Sequence, residues 1–187
     1  MAKIIVPIAT GFEEIEAITI VDVLRRADYK VITCGVGSHS ICGAHEIEIK
    51  CDEEIKNVLY ADADAVILPG GIPGTTNLLE SEEVNAIVKE LNDNKKCVAA
   101  VCAAPWVLSA VGVLDGKNAT SYPKFAEKLS TSNYLEKSVV CDGNVITSRG
   151  VGTALAFSLT IVEYLSGTEK AKELAEAMLV SWASDKH

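Results

Sequence analysis

The chain has 187 residues, 49% apolar and 23% charged, enough to bury a full core as a globular protein. Its formal net charge is −9 and no basic run exceeds the pairs Arg25-Arg26 and Lys95-Lys96, which argues against nucleic acid or an anionic membrane as a partner. No apolar run approaches a membrane span and the first residues lack a signal-peptide pattern, so the expectation is one cytoplasmic domain over residues 1–187.

Lys3 to Ile8 is apolar on both faces and predicts a central strand of a covered parallel sheet, with Pro7 near its end. Thr10-Gly11-Phe12-Glu13 has capping-box spacing and predicts a helix starting near Phe12 or Glu13, with Ile15, Ile18, Val21 and Leu24 or Val23 as its apolar stripe. Tyr29 to Val36 is a second strand, and Glu46 to Lys50 alternates as a half-exposed strand or ribbon. A short helix is expected from Asp52 towards Tyr60. Ala63 to Leu68 is a buried strand ending in Pro69-Gly70-Gly71-Ile72-Pro73-Gly74. Ser81 then caps a helix whose stripe is Val84, Ile87, Val88 and Leu91.

A buried strand runs into Cys102, and a helix is expected from Ala103 to about Val111, closed by Gly112. Ala119 to Ser121 reads as a short strand and Pro123 to Leu129 as a small helix. Ser138 to Cys141 and Asn144 to Thr147 form a hairpin around Asp142-Gly143. An apolar helix follows through Leu165, and an amphipathic one from Glu169 to about Trp182. Strands alternating with helices give an α/β doubly wound sheet with one extra hairpin.

Active groups in such a sheet sit at the carboxyl ends of the strands. Three loops stand there: Ala9 to Glu16, Pro69 to Gly74, and Cys102 to Pro105. Cys34, Cys97, Cys141 and Cys51 read as inert core cysteines. Cys102 lies at a strand end, where free N–H groups and a helix start favour the thiolate; a buried, unreactive Cys102 is the bland alternative. Pro69-Gly70-Gly71 is a tight turn in the plain reading. In the functional one its bare backbone approaches a reacting atom, and the Gly71 and Ala103 N–H groups form an oxyanion hole. Glu16 is either one more exposed acidic residue or an inward carboxyl beside the sulfur. In the second case two unit charges about 4 Å apart repel by about 4 kcal/mol at an effective dielectric of 20, so both groups cannot be ionised. The consistent state is then a protonated Glu16 donating to the Cys102 sulfur and serving as general acid/base. No cysteine and histidine spacing suits zinc, and His45, on an edge ribbon, reads as a surface residue. Between His45 and His187 there is no histidine to complete a conventional triad. Tyr122, before Pro123, lies in a loop within reach of the site.

Together these residues resemble the ThiJ/PfpI superfamily in its parkinsonism-associated deglycase branch. The resemblance rests on Gly11-Phe12-Glu13-Glu14-Ile15-Glu16, Val21 to Ala27, Leu68-Pro69-Gly70-Gly71, Val101-Cys102-Ala103-Ala104-Pro105 and Thr147 to Thr153. It implies a flavodoxin-like fold with helices on both faces of a mostly parallel sheet, a homodimer, and no cofactor or metal. It implies Cys102 as an easily oxidised nucleophile, Glu16 as its protonated partner, and Gly71 and Ala103 as amide donors, with Gly70 beside them. Arg26 matches an arginine that in the family lies near the partner subunit's site. The chain departs from the pattern at Ala104 (usually glycine), at Tyr122 (histidine in some relatives) and at Val151 (usually proline). Ala103 in place of histidine after the cysteine separates it from the protease-like branch. The activity implied is that of a cofactor-independent glyoxalase or deglycase acting on small aldehydes such as methylglyoxal. The alternative is a redox-sensing, oxidative-stress or holdase protein whose cysteine oxidises to sulfinate.

Overall fold

The computed structural model describes residues 1–182. The chain runs through β1 (Lys3–Ile8), α1 (Glu14–Arg26), β2 (Lys30–Gly35), β3 (Ser40–Cys42), β4 (Glu48–Lys50), β5 (Glu53–Glu54), β6 (Ala65–Leu68), α2 (Gly74–Glu80), α3 (Glu82–Asp93) and β7 (Cys97–Val101). It continues through α4 (Pro105–Ala110), β8 (Asn118–Ala119), β9 (Asn133–Tyr134), β10 (Val139–Asp142), β11 (Val145–Ser148), α5 (Ala154–Ser166) and α6 (Thr168–Ala177). The main sheet has the order β10-β11-β7-β6-β1-β2-β5, parallel except for the β10–β11 hairpin at one edge. β3 pairs with β4 in a separate ribbon. This is the flavodoxin-like, mostly parallel α/β arrangement expected.

The period-two alternation of β1 divides the core. Ile4, Val6 and Ile8 pack with Ile20 and Leu24 of α1 and Phe157 and Ile161 of α5; Ile5 faces Leu78, Val84, Ile87 and Leu108 of α2, α3 and α4. Pro7 is tolerated in a central strand because pairing with β6 covers only Ile4 and Ile5. Its missing N–H interrupts no ladder on that side.

Several expectations are corrected. Thr10 does not cap α1: the Glu13 N–H that a capping box would satisfy donates to Gly70 O at 2.9 Å, and Glu13 is the N-cap. Ile15 and Ile18 are exposed, because the inward face of α1 is set by Glu16, Ala17, Ile20, Val23 and Leu24. The segment after Asp52 is a two-residue strand and one 3-10 turn (Ile55–Asn57) rather than a helix. A reciprocal clamp between Asp52 and Thr33 (Thr33 N and Oγ1 to Asp52 Oδ2, Asp52 N to Thr33 Oγ1, all 2.8–2.9 Å) holds it against the edge of β2. Pro123–Leu129 is likewise 3-10. α2 and β9 were not anticipated, α4 is shorter than expected, and α6 ends at Ala177, five residues before Trp182. Ser81 does cap α3, accepting from Val84 N. Cys34, Cys51 and Cys97 are buried as expected, but Cys141, on the edge strand β10, is exposed. His187 lies outside the described residues.

Candidate active site

β7 delivers Cys102 to the carboxyl end of the sheet and then turns sharply. Cys102 has φ +64, a left-handed conformation that costs a non-glycine residue roughly 1–3 kcal/mol. Neighbouring backbone holds it there: Cys102 N donates to Ser148 O (2.9 Å) and Tyr122 N donates to Cys102 O (2.8 Å). The helix that follows begins only at Pro105 and is six residues long, so the groups acting on the sulfur are individual amides rather than a long helix dipole. The N–H groups of Gly71 and Ala103 hydrogen-bond to it.

Glu16 reaches the same point from the first turns of α1. It is fully buried. Its Oε2 accepts from Gly70 N at 2.9 Å. Its carboxyl contacts the Cys102 thiol, but Oε1 has no well-formed hydrogen bond. Gly70 is glycine for a steric reason: a Cβ there would stand 2.6 Å from Cys102 Cβ and 2.7 Å from Glu16 Oε2. Gly71, at φ +97, lies so close to α1 that a Cβ would meet Glu13 N at 2.3 Å. The strand-end turn and the helix start are thus fitted backbone to backbone.

Burial raises the Glu16 carboxyl to about 7, against the pull of the Gly70 amide and the thiol. Burial, then the Glu16 charge, push the Cys102 thiol up to about 12, while the Ala103 and Gly71 amides pull it down. The two groups titrate as a pair. The first proton leaves near neutrality, and the second is held because two adjacent anions repel.

Glu14, two residues before Glu16, is also buried but fully engaged. Its Oε1 accepts from His45 N (2.6 Å) and its Oε2 pairs with His45 Nδ1 (2.9 Å). Burial pushes this carboxyl up, but the His45 hydrogen bonds outweigh it and hold Glu14 below its usual value; they raise His45 in turn. The exposed His45 ring is therefore a clamp tying the β3–β4 ribbon to α1. Glu13, Glu14 and His45 have metal-ligand spacing among the described residues, yet Glu14 spends both oxygens on His45.

The site thus brings together Cys102, Glu16, Gly70, Gly71 and Ala103, with Tyr122 attached through its amide. It does not include Arg26. That residue sits at the far end of α1, about 15 Å along the helix from Glu16, and pairs with Asp22 at 2.7 Å. Gly150 was missed as a site residue. A Cβ on it would lie 3.9 Å from both Cys102 Sγ and Glu16 Oε1 and 3.6 Å from Tyr122 Cδ2. The signal was the pairing of Ser148 with Val101, which sets the loop after β11 beside the cysteine. Two cavities of about 670 and 890 Å³ lie elsewhere, lined by neither Cys102 nor Glu16.

The family model for the DJ-1/PfpI family matches residues 2–164. The chain belongs to the DJ-1/PfpI family. It is 41% identical over 182 residues to Protein dj-1beta of Drosophila melanogaster, covering 95% of this chain and 97% of that relative. The crystal structure of Drosophila melanogaster DJ-1beta superposes with a TM-score of 0.93 at 40% identity, over 96% of this chain and 98% of that one. Protein DJ-1 homolog A of Arabidopsis thaliana is also 41% identical over 180 residues; the match takes in 95% of this chain but only 46% of that longer relative. Glutathione-independent glyoxalase DJR-1.2 of Caenorhabditis elegans is 34% identical over 171 residues, covering 90% of this chain and 91% of the relative. Family membership fits the fold, and no helix among the described residues is long and apolar enough to cross a membrane.

Proposed function

We propose that this chain is a cofactor-independent enzyme of the glyoxalase or deglycase type, acting on small reactive aldehydes through Cys102. One observation carries the reading: a fully buried Glu16 carboxyl with an uncommitted oxygen stands beside a thiol that two backbone amides already solvate. The relative named as a glutathione-independent glyoxalase supports the same class.

In this reading the pair has lost one proton at neutral pH, and Glu16 keeps the other. The Cys102 thiolate adds to the aldehyde carbon of methylglyoxal, and the carbonyl π electrons become an oxyanion held by the Gly71 and Ala103 N–H groups. Glu16 protonates that oxygen, giving a hemithioacetal. The carboxylate then removes the hydrogen on the sulfur-bearing carbon as a proton, giving an enediolate, and returns that proton to the neighbouring carbon while the hydroxyl proton passes from the first oxygen to the second. The product is a thioester on Cys102. Water hydrolyses it to lactate and restores the thiol, so the sum is methylglyoxal plus water to lactate. Early glycation adducts would enter as the aldehydes they release or by the same attack. Lactate formation by Cys102→Ser should fall by at least about 1,000-fold; unchanged turnover would refute the mechanism.

The same geometry favours a second reading, a redox-responsive cysteine. Cys102 is partly exposed and has amide donors, whereas Cys34, Cys51 and Cys97 are buried. Mild peroxide should then form a sulfinate on Cys102 selectively by mass spectrometry; oxidation spread evenly over the cysteines would exclude it. We further read the exposed Ile15, Ile18 and Ile47 as the face on which two copies pair. Sedimentation of Ile18→Glu should give a monomer where the unmodified chain gives a dimer.

A further inference from the structure

The turn after β11 lies against the Glu16–Cys102 pair and is held by one hydroxyl. Gly150 is buried. A Cβ built on it would stand 3.9 Å from both Cys102 Sγ and Glu16 Oε1, which puts its Cα within about 5.5 Å of each. Glu16 is fully buried although Cys102 is partly exposed, and Oε1 has no hydrogen bond.

Both backbone polar groups of Gly150 end on Thr153. Gly150 N donates to Thr153 Oγ1 at 3.0 Å, and Gly150 O accepts from Thr153 N at 2.9 Å. Thr153 Oγ1 also stands 2.8 Å from Gly150 O and 2.7 Å from Ser148 Oγ, which share its single proton. Ser148 is itself anchored: its Oγ donates to Ser138 O at 2.8 Å, and its carbonyl accepts from Cys102 N at 2.9 Å. One threonine therefore ties the turn to the residue that holds the strained cysteine.

Removing that hydroxyl strands a buried N–H. A buried amide without an acceptor is unfavourable, so the turn opens or a water enters to serve it. One water bridges polar atoms about 5.5 Å apart, so either change brings a donor to Glu16 Oε1. A donor stabilises the carboxylate, as the His45 amide does for Glu14. Resting on the reading of Glu16 as the proton carrier, we infer that Thr153 is a positioning residue: its hydroxyl keeps the Gly150 turn shut over the pair and so leaves Glu16 Oε1 without a donor. The titratable groups facing Glu16 are Cys102, from the end of β7, and Glu13, at the start of α1. Neither is altered by a change at Thr153.

The test titrates the Glu16 carboxyl by carbon NMR in a Cys102→Ser background, where no thiol competes and no turnover is needed. With Thr153 present the midpoint should lie at about pH 7. Thr153→Val should bring it below about 6, at least a tenfold loss of proton affinity, and Thr153→Ser should keep it. An unchanged midpoint in Thr153→Val would overturn the inference and leave the reading of Glu16 intact. A midpoint near 4.5 with Thr153 present would overturn both, since no donor is then being withheld. If Thr153→Val does not fold, hydrogen exchange of the Gly150 amide in the unmodified chain decides. It should be at least about 100-fold slower than in an unfolded chain, and exchange at the unfolded rate would overturn the inference.

Discussion

Glu14 and Glu16 lie two residues apart on one helix, both buried, and they are in opposite chemical states. Glu14 has an amide and an imidazole on its oxygens, sits below its usual pKa, and holds the ribbon to α1. Glu16 has one amide, one uncommitted oxygen and a thiol for a neighbour, and burial raises it to about 7. Both side chains are covered, but Glu14 lies just under the surface beside the exposed His45, whereas Glu16 is deep in the fold and far more strongly desolvated. The number of hydrogen bonds to the charged form differs in the same sense. A carboxylate fully supplied with donors is a structural part; one left short of them keeps its proton to near neutral pH and has it available for transfer.

The strongest challenge to that contrast is to neutralise each carboxyl separately. Glu16→Gln should lower methylglyoxal turnover by roughly 100- to 10,000-fold, the range for loss of a general acid/base. Glu14→Gln should change it little. Comparable losses in both variants would erase the distinction. Stability against pH sharpens it next. With Cys102 replaced by serine no thiol competes for the charge, and the folded chain keeps the Glu16 proton to about pH 7, while an unfolded chain releases it near 4.5. Between those values the folded state therefore binds more protons, so this group's contribution falls as pH rises through the window and is flat above it. In a Cys102→Ser background, chemical unfolding should show Glu16→Gln gaining on Glu16 by on the order of 3 kcal/mol from pH 4.5 to 7.

Gly70→Ala should cost about 1–3 kcal/mol in thermal or urea unfolding, because its Cβ would overlap Cys102 and Glu16, whereas Gly152→Ala has nothing within 4 Å and should be near neutral. Smallest of all, His45→Ala should raise amide hydrogen exchange across residues 40–50 and leave the Cys102 reactivity in place. A coupled loss of that reactivity would mean that the two carboxyls are one site.

Much of this was legible in the residues. The apolar runs of β1, β6 and β7, the Ser81 cap and the Asp142-Gly143 hairpin follow from local rules, and the alternation of strand and helix orders the sheet. The loops at the strand ends then have to converge, which singled out Cys102, Gly70 and Gly71. The failures share a cause. Thr10 had the right spacing to cap α1, but the donor it would have satisfied goes to Gly70, 57 positions later in the chain. Asp52 began what looked like a helix until its carboxylate met Thr33. The stripe of α1 slipped off Ile15 and Ile18 because the inward face carries Glu16, and no hydrophobic count predicts a buried carboxyl. Gly150 needed the register of β11 against β7.

The central claim is that the single proton left on the pair at neutral pH belongs to Glu16 and the charge to Cys102. Thiolate absorbance near 240 nm, taken as the difference between the unmodified chain and Cys102→Ser from pH 5 to 10, measures this directly. One thiolate should appear as the pair loses its first proton, complete by about pH 7 to 8. Absence of thiolate until the strongly alkaline range would mean that Glu16 ionises first and Cys102 stays protonated, and would contradict the account.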